Sequence, residues 1–251
     1  MGKISVVGIG PGSTDDMTYR AHRTIEEATA VVGYSRYIQL IADLVEGKKV
    51  LDTGMTQEID RCRAALEEAA AGENVVVISS GDAGIYGMAG LVLELLMKMD
   101  EDQRPEFGGV IPGVSAMSAA AGLLGAPIMH DFAVISLSDL LTPWELIQER
   151  AELAAKGDFV TVLYNPRSHK RVGQIKAVQE IFLHERTPET PVGIVTAASR
   201  EGENVVISTL GAFTKENINM FSIVIIGNSK TKQNGQWMIT PRGYQKREPG
   251  L

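Results

Sequence analysis

The chain has 251 residues, 44% hydrophobic and 22% charged, the balance of a folded globular protein rather than a disordered one. Its net charge of −7 argues against a general nucleic-acid surface, because phosphate binding needs concentrated Lys and Arg. The 24 basic residues can still form a local pocket for an acidic small molecule. Cys62 is the single cysteine, which excludes an intrachain disulfide and counts against a cysteine-based zinc or iron–sulfur centre. No apolar run reaches the roughly 18 residues of a bilayer crossing. MGKISVVGIGPGS enters a strand-like run without an h-region, and Val6 stands where myristoylation requires Ser or Thr, so a cytoplasmic location is expected.

In chain order, residues 4–9 form the first short apolar run and predict a buried parallel strand. Gly8-Ile9-Gly10-Pro11-Gly12 comes next, where α/β proteins place ligand-binding loops, and its glycines permit tight turns and close backbone approach. A dinucleotide fingerprint needs glycine at the sixth position, where Ser13 stands, and Pro11 removes an amide donor. Helical patterns cover 18–30 and 59–71. Glu58, Arg61, Cys62, Ala65, Leu66 and Ala69 recur at three- and four-residue spacing, and Gly72 supplies a stop. Cys62 therefore reads as a half-buried structural thiol. The strand at 75–79 enters Ser79-Ser80-Gly81-Asp82-Ala83-Gly84-Ile85-Tyr86-Gly87-Met88. There the Asp82 carboxylate could accept hydrogen bonds from a ribose or an amine, or cap the helix expected over 88–99.

Ile111-Pro112-Gly113-Val114-Ser115-Ala116 is a third turn of this type. The small-residue stretch 111–126 predicts a close-packed helix leading to a linker at Ala126-Pro127, with domains at 1–127 and 128–251. His130-Asp131 and Ser136-Leu137-Ser138-Asp139-Leu140-Leu141 lie just beyond; a His near an Asp can move protons, or can serve only local backbone groups. Thr142 and Pro143 read as N-cap and first residue of a helix over 143–155. A strand at 159–164 leads into Leu163-Tyr164-Asn165-Pro166-Arg167-Ser168, where Asn165 can donate and accept and Arg167 could hold a carboxylate; an Asx turn is the alternative. A helix over 173–184, strands at 192–196 and 222–227 and a polar, fraying tail at 245–251 complete the chain. Strands alternating with helices indicate an α/β fold with largely parallel sheets. G-x-S-x-G, H-E-x-x-H and Walker A motifs are absent, so hydrolase and nucleotide triphosphatase readings lose support and no metal centre is expected.

Together these segments resemble the tetrapyrrole methylases, the class III S-adenosyl-L-methionine-dependent methyltransferases, and within them the carbon-17 methyltransferases of cobalamin synthesis. The resemblance runs from Val6 to about Tyr244. It rests on VGIGPGS, VVGYSRYI, GMTQEIDRC, SSGDAGIYGMAGLV, IPGVSA, LGAPIMHDFAVISLSDLLTPW, LYNPRS, TPVGIV, IIGNS and MITPRGY. It implies two α/β domains with the ligand cleft between them, and a homodimer. By motif position it implies a methyl-donor site of Pro11, Ser80, Gly81, Asp82, Ile85, Ser115, Ala116, Asn165, Ala198 and Thr240. Departures from the family pattern are Ala83, where many members carry Pro, and Asn165, where some carry Met.

SSGDAGIYGMAG and TPRGY are similar to the anaerobic, early-cobalt type. The implied substrate is then a cobalt-factor III or cobalt-precorrin-3 macrocycle, with cobalt present only as part of it and S-adenosyl-L-homocysteine as co-product. Precorrin-3B of the aerobic route, or a corrin with another target carbon, are the neighbouring alternatives. The implied reaction is in-line methyl transfer with extrusion of carbon 20 from the ring. Its proton transfers have His130, Asp131 and Asp139 as candidates. The substrate's carboxylate side chains need local positive charge, for which Arg36, Arg167, Lys170, Arg171 and Arg242 are candidates. Two readings of other classes stand beside this one: an NAD-dependent oxidoreductase using the first glycine loop, and a non-catalytic tetrapyrrole-binding protein. No nucleic-acid or membrane partner is expected.

Overall fold

The structure, a computed structural model, describes residues 1–54 and 57–244, so the expected fraying at 245–251 and Met55-Thr56 of GMTQEIDRC lie outside the described residues. The chain divides into two compact units, Met1–Ala116 and Met117–Leu251.

The first unit is built on β1 (Lys3–Gly8), β2 (Ala30–Tyr34), β3 (Lys49–Thr53), β4 (Asn74–Ser79) and β5 (Glu106–Ile111). These form one sheet in the order β3-β2-β4-β1-β5 with every pairing parallel, as expected of short, unbroken apolar runs. The connecting helices are α1 (Tyr19–Glu26), α2 (Ser35–Gln39), α3 (Ala42–Val45), α4 (Glu58–Ala70) and α5 (Ala89–Leu96). Because successive strand residues face opposite sides, one run of valines serves two cores. Ile4, Val6, Val75 and Val77 pack with Cys62, Leu66 and Val92 of α4 and α5. Val7, Val76 and Ile78 pack with Ala21 and Ile25 of α1 on the other face.

α4 matches its sequence pattern closely: Arg61, Cys62, Ala65, Leu66 and Ala69 are its buried residues. Its end is a Schellman turn. Gly72 adopts φ +114°, its N–H donates to the Ala69 carbonyl at 3.1 Å, and the Glu73 N–H donates to Glu68 at 3.2 Å. Cys62 is fully buried, and burial pushes its thiol pKa from 9.0 up to about 11.

The second unit opens with α6 (Ala116–Leu124) and β6 (Gly125–Ala126) and continues through β7 (Phe132–Ser136), α7 (Trp144–Lys156), β8 (Val160–Tyr164), α8 (Gln174–Leu183), β9 (Pro191–Thr196), β10 (Asn204–Thr209), β11 (Ser222–Ile226), β12 (Lys232–Asn234) and β13 (Trp237–Ile239). α6 and β6, which precede the linker expected at 127, are tied into this unit: β6 pairs with β13, and Leu124 packs over Gly193 in β9. The main sheet has the order β10-β9-β11-β8-β7. Here the α/β class holds but the sheet is mixed. Only β7–β8 is parallel, while β8–β11, β11–β9 and β9–β10 are antiparallel. The short β9–β10 connection leaves no room for a crossover, and β11 runs back between β8 and β9. α7 starts one residue later than expected: Pro143, not Thr142, holds the N-cap position, with extended backbone and no side-chain cap bond.

Candidate functional site

In the first unit the parallel sheet delivers three glycine-bearing loops to one edge, because β4, β1 and β5 are neighbours and all end there. The loops are in backbone contact. Ile9 N–H donates to the Ser79 carbonyl and Gly10 N–H to the Gly81 carbonyl, both at 2.9 Å. A Cβ on Gly8 would lie 2.6 Å from both the Gly113 nitrogen and the Gly81 oxygen, so only glycine fits. Thr18 caps α1 by accepting from the Ala21 N–H at 3.2 Å and donates to the Pro112 carbonyl at 3.3 Å, joining the first loop to the third. The chain then leaves β1 toward the face packed by α1 and leaves β4 toward the face packed by α5. Loops that part in this way open the crevice where open α/β sheets bind ligands.

Pro11, Ser80, Gly81, Asp82, Ile85 and Ser115 belong to these three loops, Ala116 begins α6 directly after the third, and the structure brings them to the same edge. Arg36 lies in α2, directly after the parallel β2, and is exposed. Asp82 has an architectural task that the sequence did not suggest. One oxygen accepts from the Gly84 N–H at 2.8 Å and the other from the Gly113 N–H at 3.2 Å, so the carboxylate bridges the second and third loops. Both oxygens keep acceptor capacity for a ligand. Tyr86, in the same loop, is 56% exposed and held at φ +53°, a conformation uncommon outside glycine.

In the second unit β7, β8 and β9 run in the same direction, so the segments after Ser136, Tyr164 and Thr196 share one end of the sheet. Three non-glycine residues there have left-handed backbone: Asn165 at φ +50°, Ala197 at +53° and Ser199 at +57°. They flank or coincide with the expected Asn165 and Ala198, and such local strain concentrates at functional sites. The Asn165 side-chain amide donates to Ser136 Oγ at 3.0 Å. Arg167 is half-buried and Lys170 exposed at this end, and Arg200, overlooked in the sequence, joins them after β9. Leu140 and Leu141, in the segment after β7, are 77% and 99% exposed.

Several expected assignments take a different form. Arg171 is 6% exposed, and its guanidinium donates to the Asn165 carbonyl at 2.8 Å and faces Asp139 at 3.9 Å, so it is no open cation for a substrate. Burial lowers its pKa, with Asp139 opposing. Asp139 in turn accepts from Gln174 at 2.8 Å. His130 and Asp131 precede β7 and Asp139 lies past its end, so the strand holds the three apart and they form no single acid–base cluster. The His130 ring nitrogen accepts from the Asp131 N–H at 2.9 Å, the local role that was its alternative. Thr240 has no exposed surface: its hydroxyl lies 2.7 Å from that of Thr231 and its N–H donates to Ala126 at 3.1 Å. It sits by the turn after β11, at the opposite end of the sheet from Asn165, and offers a ligand no side-chain surface. Arg242, two residues on, is exposed.

The model of the Tetrapyrrole (Corrin/Porphyrin) Methylases matches residues 3–214. The chain belongs to the tetrapyrrole methylase family. Among relatives it is 50% identical, over 96% of its own length and 99% of the other's, to a protein of Salmonella typhimurium named probable cobalt-factor III C(17)-methyltransferase. It is 49% identical over 98% of its length to the cobalt-factor III methyltransferase of Priestia megaterium, of which it spans only 46%. Among solved structures the methyltransferase CobJ superposes with a TM-score of 0.90 at 39% identity, covering 96% of this chain and all of that one. The family match covers this first loop, where Ser13 and Pro11 spoil a dinucleotide fingerprint, and the oxidoreductase reading falls. Among the described residues no group of His, Cys, Asp and Glu could hold a metal ion, and no helix is long and apolar enough to cross a membrane.

Proposed function

We propose that this chain transfers a methyl group from S-adenosyl-L-methionine to carbon 17 of a cobalt-factor III type tetrapyrrole, with the associated ring contraction. The observation that carries this reading is the 50% identity to the Salmonella relative over nearly the full length of both chains. Cobalt enters as part of the substrate. Family resemblance further supports a cytoplasmic homodimer.

The loops fit the donor. Pro11, Ser80–Asp82, Ile85, Ser115 and Ala116 offer backbone polar groups at a sheet edge where glycines let a ligand approach the main chain, and the Asp82 carboxylate can accept from a ribose hydroxyl. Asn165 and Ala198 of the second unit are further donor contacts that the family resemblance implies by motif position. When bound, the donor supplies an electrophilic methyl: its sulfur–methyl bond breaks as the carbon–carbon bond forms, and S-adenosyl-L-homocysteine remains. A carbon nucleophile needs no general base, so the work of these residues is alignment and exclusion of water, and orientation alone is worth roughly 7–11 kcal/mol in favourable systems. Arg36, Arg167, Lys170, Arg200 and Arg242 are the cations proposed for the macrocycle's carboxylates. His130, with a side chain 37% exposed, is the proposed proton carrier for ring contraction.

Calorimetry with S-adenosyl-L-homocysteine and, in parallel, NAD tests the class. Binding of the first alone is the expected result, with methylation of cobalt-factor III in turnover as its sequel. Binding of NAD alone, or turnover of precorrin-3B in preference, would overturn the class or the substrate respectively.

A further inference from the structure

Arg171 is one of the few buried charges of the second unit, and its surroundings give it a purpose beyond packing. Asn165 holds a left-handed conformation, which asparagine adopts more readily than other L-residues and which its neighbours here hold in place. They do so from two sides. The Arg171 guanidinium donates to the Asn165 carbonyl at 2.8 Å, and Ser136 Oγ accepts from the Asn165 side-chain amide at 3.0 Å. Arg171 is itself held at both ends of its loop: its N–H donates to Ser168 Oγ and its carbonyl accepts from the Ser168 N–H, both at 3.0 Å. Its head lies between Asp139, at 3.9 Å, and the Met220 sulfur, at 3.8 Å. Asp139 is steadied by Gln174. With one N–H of the Asn165 amide committed to Ser136, the second N–H and the side-chain oxygen remain for a ligand, and of these the oxygen is the acceptor.

We propose that Arg171 is a positioning residue for methyl-donor recognition, clamping Asn165 so that its side-chain oxygen is presented as an acceptor for a hydroxyl, amine or ammonium group of the donor. Asp139 holds Arg171 in register and does not transfer a proton. The inference rests on the reading that Asn165 contacts the donor.

The test is calorimetric binding of S-adenosyl-L-homocysteine to the full chain, unaltered and as Arg171→Met, Arg171→Lys, Ser136→Ala and Arg186→Met, with thermal unfolding of each. Arg186 is a second buried arginine of the same unit, bonded instead to the Phe159 and Gly227 carbonyls at the other end of the sheet. Arg171→Met is expected to weaken binding about tenfold or more, the worth of one charge-assisted hydrogen bond, and Ser136→Ala several-fold. Arg171→Lys keeps the charge and one donor, and recovers part of the loss. In turnover the donor KM rises while kcat changes less. Arg186→Met lowers thermal stability without changing affinity. Should Arg171→Lys and Ser136→Ala both bind as tightly as the unaltered chain, the positioning role is refuted, whether or not Arg171→Met folds. Should affinity merely track thermal stability across the set, Arg186→Met included, Arg171 is structural only. Failure of the unaltered chain to bind would overturn the donor reading itself, a result separate from both.

Discussion

The contact of three loop backbones in the first unit makes a sharp prediction at Gly113. A Cβ there would lie 2.6 Å from the Gly8 carbonyl oxygen and closer still to that of Gly81. Ordinary contact begins near 3.5 Å, so the loops must separate by about 1 Å to admit one methyl group. Both obstacles are main-chain atoms in loops joined to β1 and β4, and neither can swing aside as a side chain would. Overpacking of this kind costs about 1–3 kcal/mol, and the upper half applies here. The same movement stretches the Gly113 N–H bond to Asp82, already 3.2 Å long, beyond useful range, which adds about 1 kcal/mol. Gly113→Ala should therefore lose about 3 kcal/mol and, at roughly 2–4 °C per kcal/mol for chains of this size, melt about 6–12 °C lower. Gly90→Ala is the matched control: Gly90 is an exposed position of α5, nothing lies within 4 Å of its Cβ, and alanine should be neutral to about 1 kcal/mol stabilising. Thermal unfolding by circular dichroism, with S-adenosyl-L-homocysteine calorimetry on the same samples, reads both. If Gly113→Ala melts with the unaltered chain and binds as well, the close-packed backbone does not shape the site.

Arg186→Met should cost about 3 kcal/mol, since it deletes donors to the buried Gly227 carbonyl and the part-buried Phe159 carbonyl and a guanidinium stacked 4.7 Å from the Phe182 ring; urea unfolding measures it. Cys62, fully buried with its thiol raised to about 11, should resist thiol reagents at pH 8 and react once urea unfolds the chain. Because the folded thiol holds its proton where the unfolded one loses it, this group's contribution to stability is full below pH 9.0 and falls as pH rises toward 11, visible as a melting curve that Cys62→Ala flattens. Thr240→Val should lower stability by about 1 kcal/mol through the lost Thr231 hydrogen bond while leaving S-adenosyl-L-homocysteine affinity unchanged; a weakened affinity would restore Thr240 to the donor site.

The parts of the fold legible in sequence were those whose pattern is local. β1, β4, β8, β9 and β11 are unbroken apolar runs because sheet interiors bury them on both faces. α4 was legible through its three- and four-residue spacing and Gly72. β3, β10 and β12 escaped notice because they carry polar or exposed residues at sheet edges, and β5 because Gly108 and Gly109 interrupt it. Pairing direction is not written in periodicity at all, so the antiparallel sense of β11 was invisible. The same limit separates the site residues. Glycines after a strand announce a loop, so Gly8, Gly81 and Gly113 were found. Whether a polar side chain faces a ligand or its own chain depends on distant partners: Gly113 lies 31 residues from Asp82, Asn165 lies 29 from Ser136, and Met220 lies 49 from Arg171.

That departure from parallel pairing also bears on chemistry. In the first unit every neighbour runs the same way, so the ligand edge receives only segments that leave a strand: glycine, serine and a bridging aspartate. In the second, β11 enters the sheet between β8 and β9 in the reverse sense, and the end that carries Asn165 therefore also receives a segment that leads into a strand. Asn219, Met220 and Phe221 arrive there, with Thr196 and Ser222 joined through their hydroxyls at 2.8 Å. Met220 and Phe221 are 41% and 51% exposed, so this end of the sheet carries them and the exposed Leu140 and Leu141 as well as the segments of Arg167, Lys170 and Arg200. The proposed substrate, a flat macrocycle fringed with carboxylates, would call for both kinds of group, since apolar contact alone would not select its acidic rim and charge alone would not hold its face. The reversed strand thus adds an apolar component to an end that parallel strands supplied only with polar loops and Leu140-Leu141.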